Sequence, residues 1–377
     1  MQSIIIGPNQ AGQRFDKFLH KYMPQAQTSF LYKMLRKKNI TLNGKKAEGK
    51  EMLQEGDEVK IFFADETLEK FTGIPVQQKE PVQKTGLSAK DVRASHVSQA
   101  PHASQTSAAK LQMNQYENAY KRLKGIKVIY EDANVLILDK PAGILTQKAS
   151  DSDLSLNEWM IGYLIASESI TPEELHSFKP SVCNRLDRNT SGLVLCGKSL
   201  AGSQALSRMI HDRKVRKFYR TIVNGAVTKE TQIDGYLVKN EKNNKVQIFS
   251  ASDTQLKEYP DADSIRTAYR PLEKGNHPAA GTLTYLEVEL ITGKTHQIRA
   301  HLGAAGHSLI GDYKYGKRNV NDIFKEKFGL SAQLLHAYRL EFPKTEGALS
   351  ELSGKEILAP FPRQFSGILK ECHLEES

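Results

Sequence analysis

Asp187 is the residue in this chain best placed to do chemistry. It lies in Asn184-Arg185-Leu186-Asp187-Arg188-Asn189-Thr190-Ser191-Gly192, directly before the apolar run Leu193-Val194-Leu195. A carboxylate between Arg185 and Arg188, tied into a Thr-Ser-Gly turn and followed by a strand, is a nucleophile candidate on an anion-binding rim. That combination suggests an enzyme acting on nucleic acid. An acid between two arginines also occurs as a surface ion pair that contributes little, so the case depends on what else the chain brings to the same place.

Three further stretches combine unusual polar groups with glycines or tight turns: Lys140-Pro141-Ala142-Gly143, Lys217-Phe218-Tyr219-Arg220, and Thr292-Gly293-Lys294-Thr295-His296-Gln297-Ile298-Arg299-Ala300-His301. Each falls at a predicted strand end or strand-to-helix junction, where groups from distant parts of a chain converge in a cleft. Rival chemistries lack their spacing. His296, His301, His307 and His336 give no i, i+4 pair of the helical zinc type, so no metal is expected. Gly293-Lys294-Thr295 lacks the upstream glycine of a phosphate loop, and Ser191 has no Gly-x-Ser-x-Gly elbow.

The elements that must position these groups fall into two bodies, as expected for 377 residues. In residues 123–377, Lys127–Tyr130 and Val135–Leu138 read as strand-turn-strand. Further strands are predicted at Leu193–Cys196, Lys217–Val223, Leu283–Ile291 and Leu334–Phe342, with a helix over Leu200–Asp212 capped by Ser199. Strands outnumber helices without regular alternation, which predicts an α+β domain with a mixed, largely antiparallel sheet.

Residues 1–70 form the smaller body. Phe15, Phe18, Leu19 and Tyr22 recur at helical spacing over Arg14–Tyr22. Phe30, Leu31, Met34 and Leu35 do so after a Thr28 or Ser29 cap. Ile40-Thr41-Leu42, Asn43-Gly44 and Lys45-Lys46 then read as a tight hairpin. Residues 71–122 carry Gln, Ser, Ala, Lys and Pro without apolar periodicity over most of their length, and are expected to be a flexible linker.

With 53 Lys+Arg against 43 Asp+Glu the chain has a formal net charge of +10, which suits a polyanionic partner. Cys183, Cys196 and Cys372 are an odd number without metal spacing, and no stretch approaches membrane-spanning length, so a soluble cytoplasmic protein is expected. Nothing in the sequence demands an oligomer, and a monomer suits the two-body layout.

Two resemblances follow from these residues. The segment from Arg14 to Lys45, with Lys33, Arg36, Lys37, Lys38 and Lys45 on its polar side, resembles the αL RNA-binding module of ribosomal protein S-four. Arg185-Leu186-Asp187 with Thr190-Ser191-Gly192, together with the three companion stretches, resembles the RluA-type family of RNA pseudouridine synthases. Within it, the chain looks like the RluC-type large-subunit ribosomal branch that carries the same N-terminal module. Asn184 departs from the family's frequent His. The resemblance implies a pseudouridine synthase catalytic domain that isomerises uridine to pseudouridine, without cofactor, in RNA, most naturally large-subunit (23S) ribosomal RNA.

By the same resemblance Asp187 is the nucleophile, attacking ribose or uracil or acting as base toward a glycal, and the sequence leaves these routes open. Arg299 would hold Asp187 ionised, its fork gripping the carboxylate at two points. Tyr219 would stack on the target base, and Arg185 would fill the space that the flipped uridine leaves. Lys140, Arg188, Lys217 and His296 are supporting candidates for RNA contact or site architecture. A non-catalytic RNA-binding or ribosome-assembly protein, and a transfer-RNA-directed synthase, are the alternatives.

Overall fold

The structure, a computed structural model, describes residues 1–72, 103–172, 174–240 and 245–374. Packing divides it into two compact units, Met1–Asn118 with Leu164–Lys179, and Ala119–Tyr163 with Pro180–Ser377. The first unit opens with β1 (Gln2–Ile5), α1 (Phe15–Tyr22), α2 (Thr28–Arg36), β2 (Ile40–Leu42), β3 (Lys45–Lys46), β4 (Glu58–Ile61) and α3 (Asp65–Thr72). Its sheet runs β1-β4-β2-β3, antiparallel throughout. The apolar faces foreseen for α1 and α2 meet it: Phe15, Phe18, Leu19, Leu31 and Leu35 pack with Ile40, Val59 and Ile61. Asn43 and Gly44 take φ of +51° and +72°, the pair a two-residue hairpin needs.

Two expectations need correcting here. The cap of α2 is Gln27, with no side-chain capping bond; neither Thr28 nor Ser29 serves. The main-chain oxygen of Gln27 accepts the amides of Phe30 and Leu31 instead. Of the linker expected over 71–122, residues 73–102 lie outside the described residues. Its last part is helix, α4 (Ala103–Arg122). Ala, Gln and Lys favour helix intrinsically, and Tyr116 and Ala119, three apart, are buried on one face.

The second unit contains β5 (Lys127–Glu131), β6 (Val135–Lys140), most of α5 (Leu156–Ala166), β7 (Ser181–Val182), β8 (Ser191–Gly197), α6 (Leu200–His211), β9 (Arg216–Asn224), β10 (Thr231–Asn240), β11 (Lys245–Phe249), β12 (Asp263–His277) and β13 (Gly281–Leu290). There follow α7 (Gln297–Ala304), α8 (Arg318–Phe328), β14 (Leu335–Glu341), β15 (Glu356–Leu358) and α9 (Arg363–Glu371). Among the described residues one sheet holds eleven strands in the order β11-β10-β12-β13-β9-β14-β8-β6-β5, with β15 on β14 and β7 on β8. Only β14 and β8 run parallel among these described pairs, so the mixed, largely antiparallel α+β architecture is as the sequence predicts.

That parallel pair dictates one residue. Gly192 has φ of +108°, and a Cβ there would sit 2.2 Å from the Ala337 carbonyl oxygen. Only glycine lets β8 approach β14 so closely. Strand β8 is buried along its whole length. Its Leu193 and Leu195 join Val135, Ile137 and Leu206 in one core, while Ile222, Leu283 and Tyr285 join Phe324 and Phe365 in another. The Ser199 cap of α6 is present, its Oγ accepting from Gly202 N at 2.9 Å. The sequence did not disclose β12: Pro271 interrupts it at a bulge, where the register with β13 shifts. No helix among the described residues is long and apolar enough to cross a membrane.

Candidate active site

Asp187 stands in the loop between β7 and β8, and that loop is fastened from below. The backbone peels away from β8 at Asn184, whose Oδ1 accepts Leu195 N at 2.7 Å and so completes the ladder with a side chain. Thr146 Oγ1 donates to the Leu186 carbonyl at 2.8 Å and accepts the Leu186 amide at 3.2 Å. Asp187 O accepts the Thr190 amide at 3.1 Å, closing the turn. Gly143 N donates to Arg188 O at 2.9 Å, and Arg188 Nε returns a bond to Gly143 O at 3.1 Å.

Lys140 locks the same segment. It is fully buried, and its Nζ donates to the carbonyls of Pro141, Ile144 and Arg188 at 3.1, 2.9 and 3.0 Å. Burial pushes the ammonium down to about 7, against the opposing pull of Asp187 and Asp139. A cation with every proton committed to main-chain oxygen and no exposed surface does not contact RNA. Of the two roles considered for Lys140, the geometry therefore supports site architecture.

The opposing wall comes from the Thr292–Ala304 segment. Arg299, on α7, donates from Nη1 to Asp187 Oδ2 at 3.0 Å. Its Nε and Nη2 donate to Asp312 Oδ2 and Oδ1 at 2.7 and 3.0 Å. The two-point grip expected on Asp187 is thus made on Asp312, and Asp187 receives a single bond. The reason is access: the Asp312 side chain is 1% exposed and lies behind the guanidinium, whereas Asp187 opens to the cleft at 26%. Asp312 also accepts the amides of Lys314 and Tyr315 at 2.9 and 3.2 Å. Burial opposes the Arg299 charge, but its bonds and charge attraction to Asp312, then Asp187, raise its pKa above the ordinary value.

Gln297 pins the start of α7. Its Nε2 donates to Arg266 O and Thr267 Oγ1, both at 3.0 Å, while its Oε1 accepts from Thr292 Oγ1 at 2.9 Å and Lys294 N at 3.1 Å. His296, just before, takes a left-handed backbone with φ of +55°. Its Nδ1 lies 3.0 Å from Tyr315 Oη and its Nε2 3.9 Å from Asp187 Oδ2. Burial lowers its pKa, with Asp187 pulling the other way.

Tyr219 stands on β9 opposite Val288 of β13 and Ala337 of β14, in a recess bounded by Asp187, Leu290, His296 and Arg299. Burial, then the nearby Asp187 charge, push its phenol well above the ordinary value, so near neutral pH it is a donor. Lys217, on the same side of β9, lines the adjoining cleft. Burial and the charge of Arg213 lower its pKa. Arg185 and Arg188 are exposed at the mouth. The cleft encloses about 820 Å³, and its wall carries Lys148, Arg185, Arg188, Lys217, Lys239, Lys294, Arg299 and Lys314. Asp187 is the one acidic side chain among its described lining residues. A lone carboxylate in a cationic cleft of this size suits a nucleotide of a polyanion. Among the described residues, no three His, Cys, Asp or Glu side chains are grouped to hold a metal ion.

The structure thus brings Asp187, Tyr219, Arg299, His296, Lys217, Arg185 and Arg188 to one cleft and puts Lys140 beneath it. Lys33, Arg36, Lys37, Lys38 and Lys45 belong to the other unit, where all are exposed. Sequence reasoning missed Asp312, Thr146 and Tyr315. The Gly311-Asp312 pair marks a turn, with φ of +75° at Gly311, but names no partner for the acid.

Residues 134–304 match the family model described as RNA pseudouridylate synthase, a span that holds Asp187, Tyr219 and Arg299. The ribosomal large subunit pseudouridine synthase C of Vibrio cholerae serotype O1 is 27% identical over 380 residues, covering 100% of this chain and 96% of that protein. The ribosomal large subunit pseudouridine synthase D of Neisseria meningitidis serogroup B is 30% identical over 257 residues, covering 66% of this chain and 62% of that one. The solved structure titled Human RNA Pseudouridylate Synthase Domain Containing 4 superposes with a TM-score of 0.52 at 20% identity. It covers 71% of this chain and 98% of that one, a likeness of fold. The single acid, its arginine and the glycine-dependent loop all lie inside the span that matches the RNA pseudouridylate synthase family.

Proposed function

We propose that this protein isomerises uridine to pseudouridine in large-subunit ribosomal RNA, with Asp187 as the reacting carboxylate. The observation that carries this reading is the Asp187–Arg299 pair, 3.0 Å across, in a cleft whose other charged lining residues are Lys and Arg. The names of the full-length relatives supply the substrate class.

The reaction breaks the N1–C1′ bond, turns the uracil over and joins C5 to C1′; C5 loses its proton and N1 gains one. Nothing is oxidised and no group leaves the molecule. Asp187 must be ionised and aimed, and a cation held against one of its oxygens favours that form while leaving the other free. Tyr219, protonated and buried beside it, would stack on the base, an interaction worth about 1–3 kcal/mol. Arg185, exposed at the mouth, would enter the stack left by the extracted nucleotide, offsetting the few kcal/mol that extraction costs. Arg188 and Lys217 would meet backbone phosphates. Lys33, Arg36, Lys37, Lys38 and Lys45, all exposed, would hold a neighbouring part of the RNA by its phosphates without reading sequence.

Mapping pseudouridines in RNA from cells with and without the protein tests the substrate. A large-subunit ribosomal site should disappear with the protein. Loss confined to transfer RNA would contradict the substrate class, and an unchanged map would contradict the activity.

A further inference from the structure

We infer that His296 is a catalytic residue that presents a fixed Nε2–H to the carbonyl oxygen of the detached uracil. The inference rests on the pseudouridine-forming reading of this cleft and adds a group to it.

Three observations converge on His296. Its backbone holds φ of +55°, in the left-handed region that few residues with a side chain adopt and that His tolerates better than most. The ring lines the recess shared by Asp187, Tyr219 and Arg299. The hydrogen-bond chain behind the ring favours one tautomer, the one that gives the Tyr315 hydroxyl proton an acceptor. Tyr315 Oη accepts the Val246 amide at 3.0 Å, which leaves its one proton to donate; His296 Nδ1, at 3.0 Å, is the acceptor within reach among the described residues. Nδ1 is therefore unprotonated and the neutral ring carries its hydrogen on Nε2. That hydrogen is unspent, because Asp187 Oδ2 at 3.9 Å is beyond hydrogen-bond distance and already holds Arg299 Nη1.

The chemistry has a use for such a donor. When N1–C1′ breaks with its electrons on the base, the uracil becomes an anion spread over N1 and its carbonyl oxygens. That charge must be held while the ring turns and C5 bonds to C1′. Arg299 already faces two carboxylates. An oriented N–H in a half-closed recess stabilises charge that appears only as the bond breaks, and removing one such donor typically costs about 10²–10³ in rate. The same donor would serve whichever route detaches the base.

The test measures single-turnover tritium release from in vitro transcribed large-subunit ribosomal RNA labelled at uridine C5, since that hydrogen leaves when C5 takes the ribose. RNA affinity is measured in parallel. His296→Ala should slow release about 100-fold with affinity within a few-fold of wild type. His296→Gln, which restores an N–H, should recover to within about tenfold of wild type. Tyr315→Phe, which frees the tautomer, should slow release with unchanged affinity. Release at the wild-type rate by His296→Ala, or equal rates for Ala and Gln, would overturn the inference. If His296→Ala does not fold, a wild-type rate for Tyr315→Phe overturns it instead. Absence of release by the wild-type protein would refute the functional reading itself, a separate result.

Discussion

Arg299 gives Asp312 two hydrogen bonds and Asp187 one. The buried acid, not the one that opens to the cleft, fixes the plane of the guanidinium. Asp187 receives the arginine on one oxygen only. Such an arrangement aims a carboxylate without fully neutralising it.

Asp312 should therefore matter for both rate and stability. Removing one partner of a buried pair costs about 3–5 kcal/mol, and Asp312→Ala also orphans the amides of Lys314 and Tyr315. We expect a loss of that order in urea unfolding. For Asp312→Asn, which keeps one acceptor, a smaller stability loss should accompany a 10–100-fold drop in turnover, roughly the effect of misplacing a catalytic group by an ångström. Unchanged turnover in a stably folded Asp312→Asn would argue against positioning.

The two lysines flanking the site should separate by salt dependence. Lys217 lines the cleft, and a phosphate contact there predicts that Lys217→Met flattens the plot of log affinity against log salt by about one contact's worth. Lys140→Met should leave that slope alone. It removes a donor from three carbonyls, of which Arg188 O keeps the Gly143 amide; each one left unpaired in the interior costs about 1–3 kcal/mol, and the loss should show as lower stability and slower chemistry.

His336 predicts acid sensitivity beneath the same loop. It is fully buried, its Nδ1 lies 2.9 Å from Ser191 Oγ, and burial pushes it down to about 4. With the folded value below the unfolded one, the unfolded chain binds the extra proton between about pH 6.5 and 4. Stability is complete above that window and falls as pH drops through it. Between pH 6.5 and 5 this group alone should cost about 2 kcal/mol. Urea midpoints for wild type and His336→Gln should diverge over that interval, and parallel curves would remove His336 as the cause.

What could be read from sequence was local or carried by the family motif. Helices α1 and α2, the Asn43-Gly44 hairpin and strands β6 and β8 follow from periodicity and turn chemistry within a few residues. The Asp187–Arg299 pairing, 112 residues apart, came from resemblance. Asp312 was illegible because nothing in a Gly-Asp turn says which distant arginine it faces. Lys140 was legible as important but not as buried, since residue type argues for exposure and three main-chain carbonyls in space argue otherwise. Strand β12 hid behind Pro271 and its charged residues, and α7 because six of its eight residues are buried, leaving no polar face to mark a period.

The most direct test of the central claim compares wild-type protein with Asp187→Asn on C5-tritiated large-subunit ribosomal RNA. The substitution keeps the shape and removes the charge. The account predicts release below about one-thousandth of the wild-type rate, the scale seen when a reacting group is lost, with RNA affinity within a few-fold. Release at the wild-type rate by Asp187→Asn would contradict Asp187 as the reacting carboxylate.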